Sequence, residues 1–169
     1  MLIKLKLRQD DRGFFARSFD REEFVAAGLD AVVEQSNLSF NHRAGTLRGM
    51  HYQAEPDVEA KLVRCTRGAI VDVAVDLRPG SATYLQHVSV ELTADNRWAL
   101  YVPPLFGHGY QTLQDASEVS YHVSARYSSR SERGLRYDDP ALAIDWPMNI
   151  SSVSDKDMAW PLISDGALA

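Results

Sequence analysis

The residues of this 169-residue chain that are best suited to chemistry lie in a short glycine-rich stretch, AGTLRGMHYQ, at positions 44–53. It places Arg48 three residues before His51. A guanidinium binds phosphate oxygens through two donors, and an imidazole changes its charge near neutral pH. Gly45 and Gly49 allow a neighbour or a ligand to approach the backbone closely. The stretch is too short and too polar for ordinary core, so we interpret it as part of a binding site.

Composition limits the kind of protein that holds this stretch. The length fits one domain, which we expect to span residues 1–169, and 45% hydrophobic with 24% charged residues is typical of a globular chain. No window reaches the roughly 18 apolar residues of a membrane span, and the opening MLIKLKLRQDDRG lacks the apolar core of a signal peptide, which predicts a cytoplasmic protein without a membrane partner. The single cysteine, Cys65, is expected to be a small buried hydrophobe. The net charge of −5 argues against nucleic-acid binding.

The elements that must position the stretch are predicted to be antiparallel strands. Positions 69, 71, 73, 75 and 77 are apolar, whereas Asp72 and Asp76 occupy the opposite face. HVSVEL repeats this alternation at Val88, Val90 and Leu92, and LIKLKL alternates near the N-terminus. Further β-prone runs span 32–40, 61–65, 97–102 and 118–127, with turn clusters RPGS and TADN between some of them. The pattern predicts an all-β sandwich or barrel.

A few short helices are expected, and one of them has clear signals at both ends. In DREEFVAAG, Asp20 can cap a helix, Glu23 can complete a capping box, and Gly28 can end it. From Pro140 onward, proline and tryptophan interrupt the chain, which we interpret as short turns lying over the body.

The strands carry the remains of a cupin metal motif. His51 follows Gly45 after five residues, and PPLFGHG supplies a late His108, but Gln53 occupies the second histidine position and Lys61 the glutamate position. A protonated lysine adds charge and no lone pair, so this set is poorly suited to a divalent cation. We therefore expect a cupin-type antiparallel jelly roll with no metal or other cofactor, and an anionic organic ligand.

Seven segments in one order make the resemblance specific. The sequence resembles the dTDP-4-dehydrorhamnose 3,5-epimerase family over nearly its whole length, through DDRGFFARSF, QSNLSFN, GTLRGMHYQ, KLVRCTRGAIVDVAVDLRPGS, YVPPLFGHGYQTL, VSYHVSARY and SDKD. The resemblance implies a metal-independent jelly roll, usually a homodimer, that inverts one or both carbons beside the ketone of a nucleotide-linked 4-keto-6-deoxy sugar.

Roles for individual residues follow from this resemblance. Such a reaction needs a base, a partner for the enolate oxygen and an acid on the opposite face. The resemblance makes His51 the base, Asp157 the carboxylate that orients it, and Tyr121 the acid; the KD pair selects Asp157 over Asp155. Lys61 is expected to stabilise the enolate, and His108 is a substrate-binding candidate.

The resemblance also implies a nucleotide site. Arg12 and Arg48 are candidates for the pyrophosphate and Phe15 and Tyr127 for base stacking; Gln35, Asn37, Glu132 and Lys156 match family ligand contacts. An N-terminal arm of about residues 1–18 is expected to reach the partner subunit, with LIKLKL as a pairing strand. The resemblance makes dTDP the expected carrier of the sugar. Another nucleotide stays open, because Arg17 replaces the glutamate of the family pattern.

Two other functions stay open at this point. An inert jelly roll that binds a nucleotide sugar would share the fold and the ligand residues, but it would not need the complete set of His51, Asp157 and Tyr121. A metal-dependent cupin enzyme would need a carboxylate beside its imidazoles. A metal assay on the purified protein would distinguish such an enzyme.

Overall fold

Ten strands form two antiparallel five-stranded sheets that face each other as a jelly roll, in a computed structural model that describes residues 1–168. The first sheet has the order β1 (Leu2–Ile3), β9 (Ala99–Val102), β6 (Lys61–Arg67), β11 (Ser117–Val123) and β4 (Gln35–Asn41). The second has the order β12 (Glu132–Gly134), β5 (Leu47–Gln53), β10 (Phe106–Thr112), β7 (Ala69–Asp76) and β8 (His87–Thr93). A separate hairpin joins β2 (Arg8–Asp10) and β3 (Gly13–Phe15). The predicted all-β jelly roll is confirmed.

The core fills one end of the space between the sheets and leaves the other end polar. Val63 and Cys65 on β6 pack with Val119 on β11, and burial raises the pKa of the Cys65 thiol to about 11. Because side chains alternate along a strand, the same inner rows continue to Lys61 and to Tyr121 at the polar end. The strands therefore lead from an apolar core directly to candidate site residues.

Strand β7 is buried on both faces. Its inner row contains Ile70 and Ala74 in the core, together with the fully buried Asp72. Its apolar outer row, which includes Val73 and Val75, packs under the C-terminal part of the chain. The predicted alternation is present, but its apolar side faces this covering segment rather than the space between the sheets.

The N-terminal prediction was wrong in extent. Of LIKLKL, only Leu2 and Ile3 form a strand, and they pair with Leu100 and Ala99 of the same chain. The ladder ends there because β9 begins at Ala99, after a turn. Residues 4–18 then leave the sheet, so the pairing strand is shorter than predicted, and the arm at a subunit interface stays a prediction.

The predicted helix is present as α1 (Arg21–Ala26). The Asp20 carboxylate accepts from the backbone N–H groups of Glu22 and Glu23, which confirms the N-cap. Within residues 1–168 the Glu23 side chain makes no reciprocal bond to the Asp20 N–H, so the capping box is only half formed. Gly28, with φ of 73°, ends the helix in a Schellman motif with Leu29 bonded to Phe24.

The C-terminal part lies over the second sheet, as predicted. Ser152 forms a parallel bridge with Thr46 and accepts from the Leu47 N–H at 2.8 Å. A Cβ on Gly45 would lie 2.5 Å from the Asn149 oxygen, so glycine permits this crossing. Beyond it lie α2 (Asp155–Met158) and a 3-10 helix (Ile163–Asp165). No helix in the described residues is long and apolar enough to cross a membrane.

Candidate functional site

A bulge in β5 turns Arg48 and His51 toward the same cavity. His51 pairs with His108 and Arg48 with Tyr110, so a step of three residues on β5 opposes a step of two on β10. Strict alternation would place Arg48 and His51 on opposite faces, and the extra residue removes that difference. Gly49 makes the bulge possible with φ of 123° and a close approach to Gly109.

The site consists of two adjoining hollows. The first, of about 380 Å³, contains Arg48, His108 and Asp157 in its wall. The second, of about 320 Å³, is lined by residues that include Gln35, Asn37, Tyr52, Gln53, Glu59, Tyr127 and Glu132. His51, Lys61 and Tyr121 belong to both hollows and therefore mark their junction.

His51 and Asp157 form a hydrogen-bonded pair. His51 Nε2 lies 2.6 Å from Asp157 Oδ1, and the Gly49 N–H donates to Asp157 Oδ2 at 3.3 Å. Burial alone would raise the pKa of Asp157, but the hydrogen bond and charge of His51 and the bond from Gly49 outweigh it, so the pKa lies below its ordinary value. An ionised Asp157 can only accept a hydrogen bond, so Nε2 of His51 carries the proton that is donated to it. Nδ1 is then the nitrogen without a proton, which can act as a base.

A second imidazole is paired in the same way. His108 Nε2 lies 2.7 Å from Oδ1 of Asp72 on β7, and both side chains are buried. Asp72 was predicted only as a polar residue of its strand. Its partner lies 36 positions away, and no local pattern indicates that contact.

Lys61 stands at the junction with a carboxylate beside it. Its Nζ lies 3.2 Å from Glu59 Oε1 and donates to the His51 carbonyl at 3.3 Å. Gln53, at the second histidine position of the metal motif, instead bonds to backbone groups of Asp57, Arg126 and Ser128. Within residues 1–168 no three His, Cys, Asp or Glu side chains gather as metal ligands.

Tyr121 faces His51 from the opposite sheet. It lies on β11 of the first sheet, whereas His51 lies on β5 of the second. Burial raises the pKa of Tyr121, the charge of Glu59 raises it further, and Arg48 acts in the opposite direction. The phenol is therefore protonated at neutral pH and can serve as an acid.

Asn41 fixes the direction of Arg48, and the sequence analysis missed it. Its Oδ1 accepts from Arg48 Nε at 2.8 Å, and its Nδ2 donates to the Ser117 carbonyl at 3.2 Å. No local signal indicated this role, because β4 reverses the usual pattern: Leu38 and Phe40 are exposed, whereas Asn41 is buried.

The second hollow brings together the other predicted contacts. The Tyr127 hydroxyl donates to Glu132 at 2.8 Å, and its backbone N–H donates to Gln35 at 3.0 Å. Glu132 also forms an ion pair with Lys156, which lines the first hollow. The Tyr127 ring is exposed and available for stacking.

Arg12 and Phe15 do not reach either hollow within this chain. They lie on the β2–β3 hairpin, where Arg12 is paired with Asp10 and its side chain is 90% exposed. Phe15 is also exposed. Their part in ligand binding stays a prediction.

The chain has well-matched relatives among known proteins. A family model described as dTDP-4-dehydrorhamnose 3,5-epimerase matches residues 1–165. A curated relative of that name from Sinorhizobium fredii is 44% identical over 165 residues, which cover 97% of this chain and 85% of the relative. A solved dTDP-4-dehydrorhamnose 3,5-epimerase from Bacillus anthracis, with TDP and PPi bound, has a TM-score of 0.92 and 40% identity over 95% of this chain and 92% of that chain. ChmJ, a 3′-monoepimerase from Streptomyces bikiniensis in complex with dTDP-quinovose, has a TM-score of 0.89 and 34% identity over 97% and 83%.

Proposed function

This chain belongs to the dTDP-4-dehydrorhamnose 3,5-epimerase family, and we propose that it inverts C3, C5 or both in a nucleotide-linked 4-keto-6-deoxy sugar of the dTDP-4-dehydro-6-deoxyglucose type. The observation that carries the proposal is the His51–Asp157 pair at the junction that also contains Lys61 and Tyr121. Carbons beside a ketone exchange protons through an enolate, and these four groups are the types that such an exchange needs.

The reaction proceeds by removal of one proton and return of another. His51 Nδ1 takes the α-proton, the electrons of the C–H bond form the enolate, and Asp157 stabilises the imidazolium. The Lys61 ammonium stabilises the negative oxygen. Tyr121 then donates a proton to the same carbon from the opposite face, which suits its place on the opposing sheet. His51 and Tyr121 regain their starting states by proton exchange with solvent, with no net oxidation or reduction.

The nucleoside occupies the second hollow in this proposal, and its diphosphate extends into the first. The exposed Tyr127 ring stacks on the base, and Gln35, Asn37 and Glu132 contact the nucleoside. Arg48 binds the diphosphate, and His108 and Lys156 contact the sugar or its phosphate from the first hollow.

Charge supports a homodimer with shared sites. In the described residues, Arg48 is the one lysine or arginine of the two hollows without a carboxylate partner, because Lys61 pairs with Glu59 and Lys156 with Glu132. A nucleoside diphosphate carries about two negative charges. Arg12 of the partner subunit, which is 90% exposed although paired with Asp10, would supply a second guanidinium, and Phe15 of the partner subunit a second stacking surface.

We take dTDP as the carrier from the relatives. Arg17 reverses the charge of the family pattern, although its pairing with Asp20 at 3.1 Å reduces the effect. The cytoplasmic location expected from the sequence stays a prediction.

Proton exchange in D₂O tests the proposed function. Purified protein is incubated with dTDP-4-dehydro-6-deoxyglucose, and NMR follows deuterium entry at C3 and C5 together with product stereochemistry. Entry at both carbons identifies a 3,5-epimerase, and entry at one identifies a single-site enzyme. No entry with this or with other nucleotide carriers would favour the inert binding protein, and exchange that stops after metal removal would favour the metal-dependent cupin.

Two variants assign the proton transfers. His51→Asn should abolish exchange at both carbons while titration calorimetry shows dTDP affinity within about threefold of wild type, because the base is removed and the nucleotide hollow is kept. Tyr121→Phe should preserve deuterium exchange at one carbon or more and block completed inversion. Exchange by the His51 variant at the wild-type rate would mean that another group is the base.

A further inference from the structure

The proposed proton transfers leave one largely buried carboxylate of the site without a role. Glu59 precedes β6, and its side chain is 10% exposed. Glu59 Oε2 lies 3.4 Å from Gln53 Nε2, and Glu59 Oε1 lies 3.2 Å from Lys61 Nζ. An ion pair at this depth is less screened by solvent than a surface pair, so the attraction between its two side chains is stronger.

The surroundings of Lys61 Nζ restrict where it can point. A lysine ammonium has three N–H donors and no acceptor. Glu59 occupies one direction and the His51 carbonyl, at 3.3 Å, occupies another. Because Lys61 lines both hollows, the direction that remains faces their junction, and the proposed function puts the ketone oxygen of the substrate at this junction.

We propose that Glu59 is a positioning residue that directs the Lys61 ammonium at the ketone oxygen. The inference rests on the proposed function. It identifies Glu59 as the residue that positions Lys61, the group that stabilises the enolate oxygen. The same negative charge also acts on Tyr121, where it adds to the effect of burial and opposes Arg48, so Glu59 helps the acid to keep its proton.

The pH dependence of activity is the first test. Glu59→Gln keeps the size of the side chain and removes its charge. We expect kcat to fall about 10-fold to 100-fold with KM changed less than about threefold, because the loss concerns the transition-state charge. Without the carboxylate, Tyr121 loses its proton more easily, so the alkaline limb of kcat should move to lower pH. Glu55→Gln, in the same loop and exposed, should match wild type.

The other charged or titratable side chains around these groups stay constant in this comparison. They are Arg48 and His51 on β5, His108 and Tyr110 on β10, and Lys156 and Asp157 on α2, with Tyr52, Tyr127 and Glu132 in the second hollow. A difference between the Glu59 and Glu55 variants therefore reports the Glu59 carboxylate.

A titration without substrate separates this inference from the proposed function. In protein labelled with ¹³C at tyrosine Cζ, the Tyr121 signal is assigned through Tyr121→Phe and followed by NMR against pH. It should titrate at lower pH in Glu59→Gln than in wild type or in Glu55→Gln. An unmoved signal would overturn the inference even if exchange in D₂O succeeds, and a moved signal would support the electrostatic link even if that exchange fails.

A double variant tests whether Glu59 acts through Lys61. In a Lys61→Met background, Glu59→Gln should change the exchange rate less than about threefold at a pH where Tyr121 is protonated. A loss as large as in the wild-type background would show that Glu59 works independently of Lys61, and the positioning role would be wrong.

Discussion

At the scale of single residues, Asp157 has the role that substitution tests most directly. Asp157→Asn keeps the size of the side chain but can offer an N–H to His51 Nε2, which places the imidazole proton on Nδ1 and removes the base. We expect kcat to fall at least about 100-fold with dTDP affinity little changed. The measurement is steady-state kinetics together with dTDP calorimetry.

Asp155 provides the matched control on the same helix. It is exposed, two positions before Asp157, and Asp155→Asn should retain wild-type kcat. An equal loss in both variants would indicate that damage to α2, rather than the pairing with His51, causes the effect.

The sequence allowed prediction of those site residues that belong to recognisable local segments. His51, Lys61, Tyr121 and Asp157 were predicted in this way, and all four line the first hollow, although their roles stay predictions. Glu59, Asp72 and Asn41 escaped this prediction, because each is defined by a contact made in the folded chain. The Asp72 carboxylate, for example, can be recognised as a hydrogen-bond partner only when strand pairing places it beside His108.

At the scale of elements, the β5 bulge depends on glycine. Gly49 has φ of 123°, and a Cβ there would lie 2.5 Å from Gly109 Cα and 2.8 Å from the His108 oxygen. Gly49→Ala should lower the free energy of unfolding by about 3 kcal/mol or more, because backbone strain and overpacking add. Urea denaturation measures this loss, and exchange in D₂O should fall with it because Arg48 and His51 shift.

Gly80 separates crowding from strain. It also has a positive φ, of 76°, but a Cβ there meets nothing within 4 Å. Gly80→Ala should therefore cost only about 1–2 kcal/mol and leave activity intact. Equal losses at Gly49 and Gly80 would argue against a special role for the close packing at the bulge.

Strand prediction succeeded where alternation was the dominant signal and failed where pairing set the limit. The run at 69–77 became β7, but LIKLKL lost its last four positions because β9 offers no partner beyond Ala99. The bulge was also invisible, since Gly49 predicts backbone freedom without saying which partner strand the chain will meet.

At the scale of the whole molecule, shared sites predict complementation between inactive variants. If Arg12 acts in the partner's site, Arg12→Ala and His51→Asn proteins should each be nearly inactive. After unfolding together and refolding, half of the dimers are mixed, and each mixed dimer has one complete site, so about a quarter of wild-type activity should return. The measurement is kcat of the refolded mixture.

The control mixes His51→Asn with Asp157→Asn. Each site takes both of these residues from the same chain. A mixed dimer therefore has one site without His51 and one site without Asp157, so activity should not return. Failure of the first mixture to exceed this control would remove the support for a site that uses Arg12 across the dimer.

The path of the C-terminal part has a consequence for the order of events during synthesis. Both sheets are complete by Gly134, whereas the carboxylate that pairs with His51 is made later, at Asp157. A nascent chain can therefore close its jelly roll on the ribosome before His51 has this partner, with Val73 and Val75 on the outer face still uncovered. In the proposed mechanism, activity arises only when the late segment docks, so we expect an interrupted chain to be both inactive and prone to aggregate through that uncovered apolar surface.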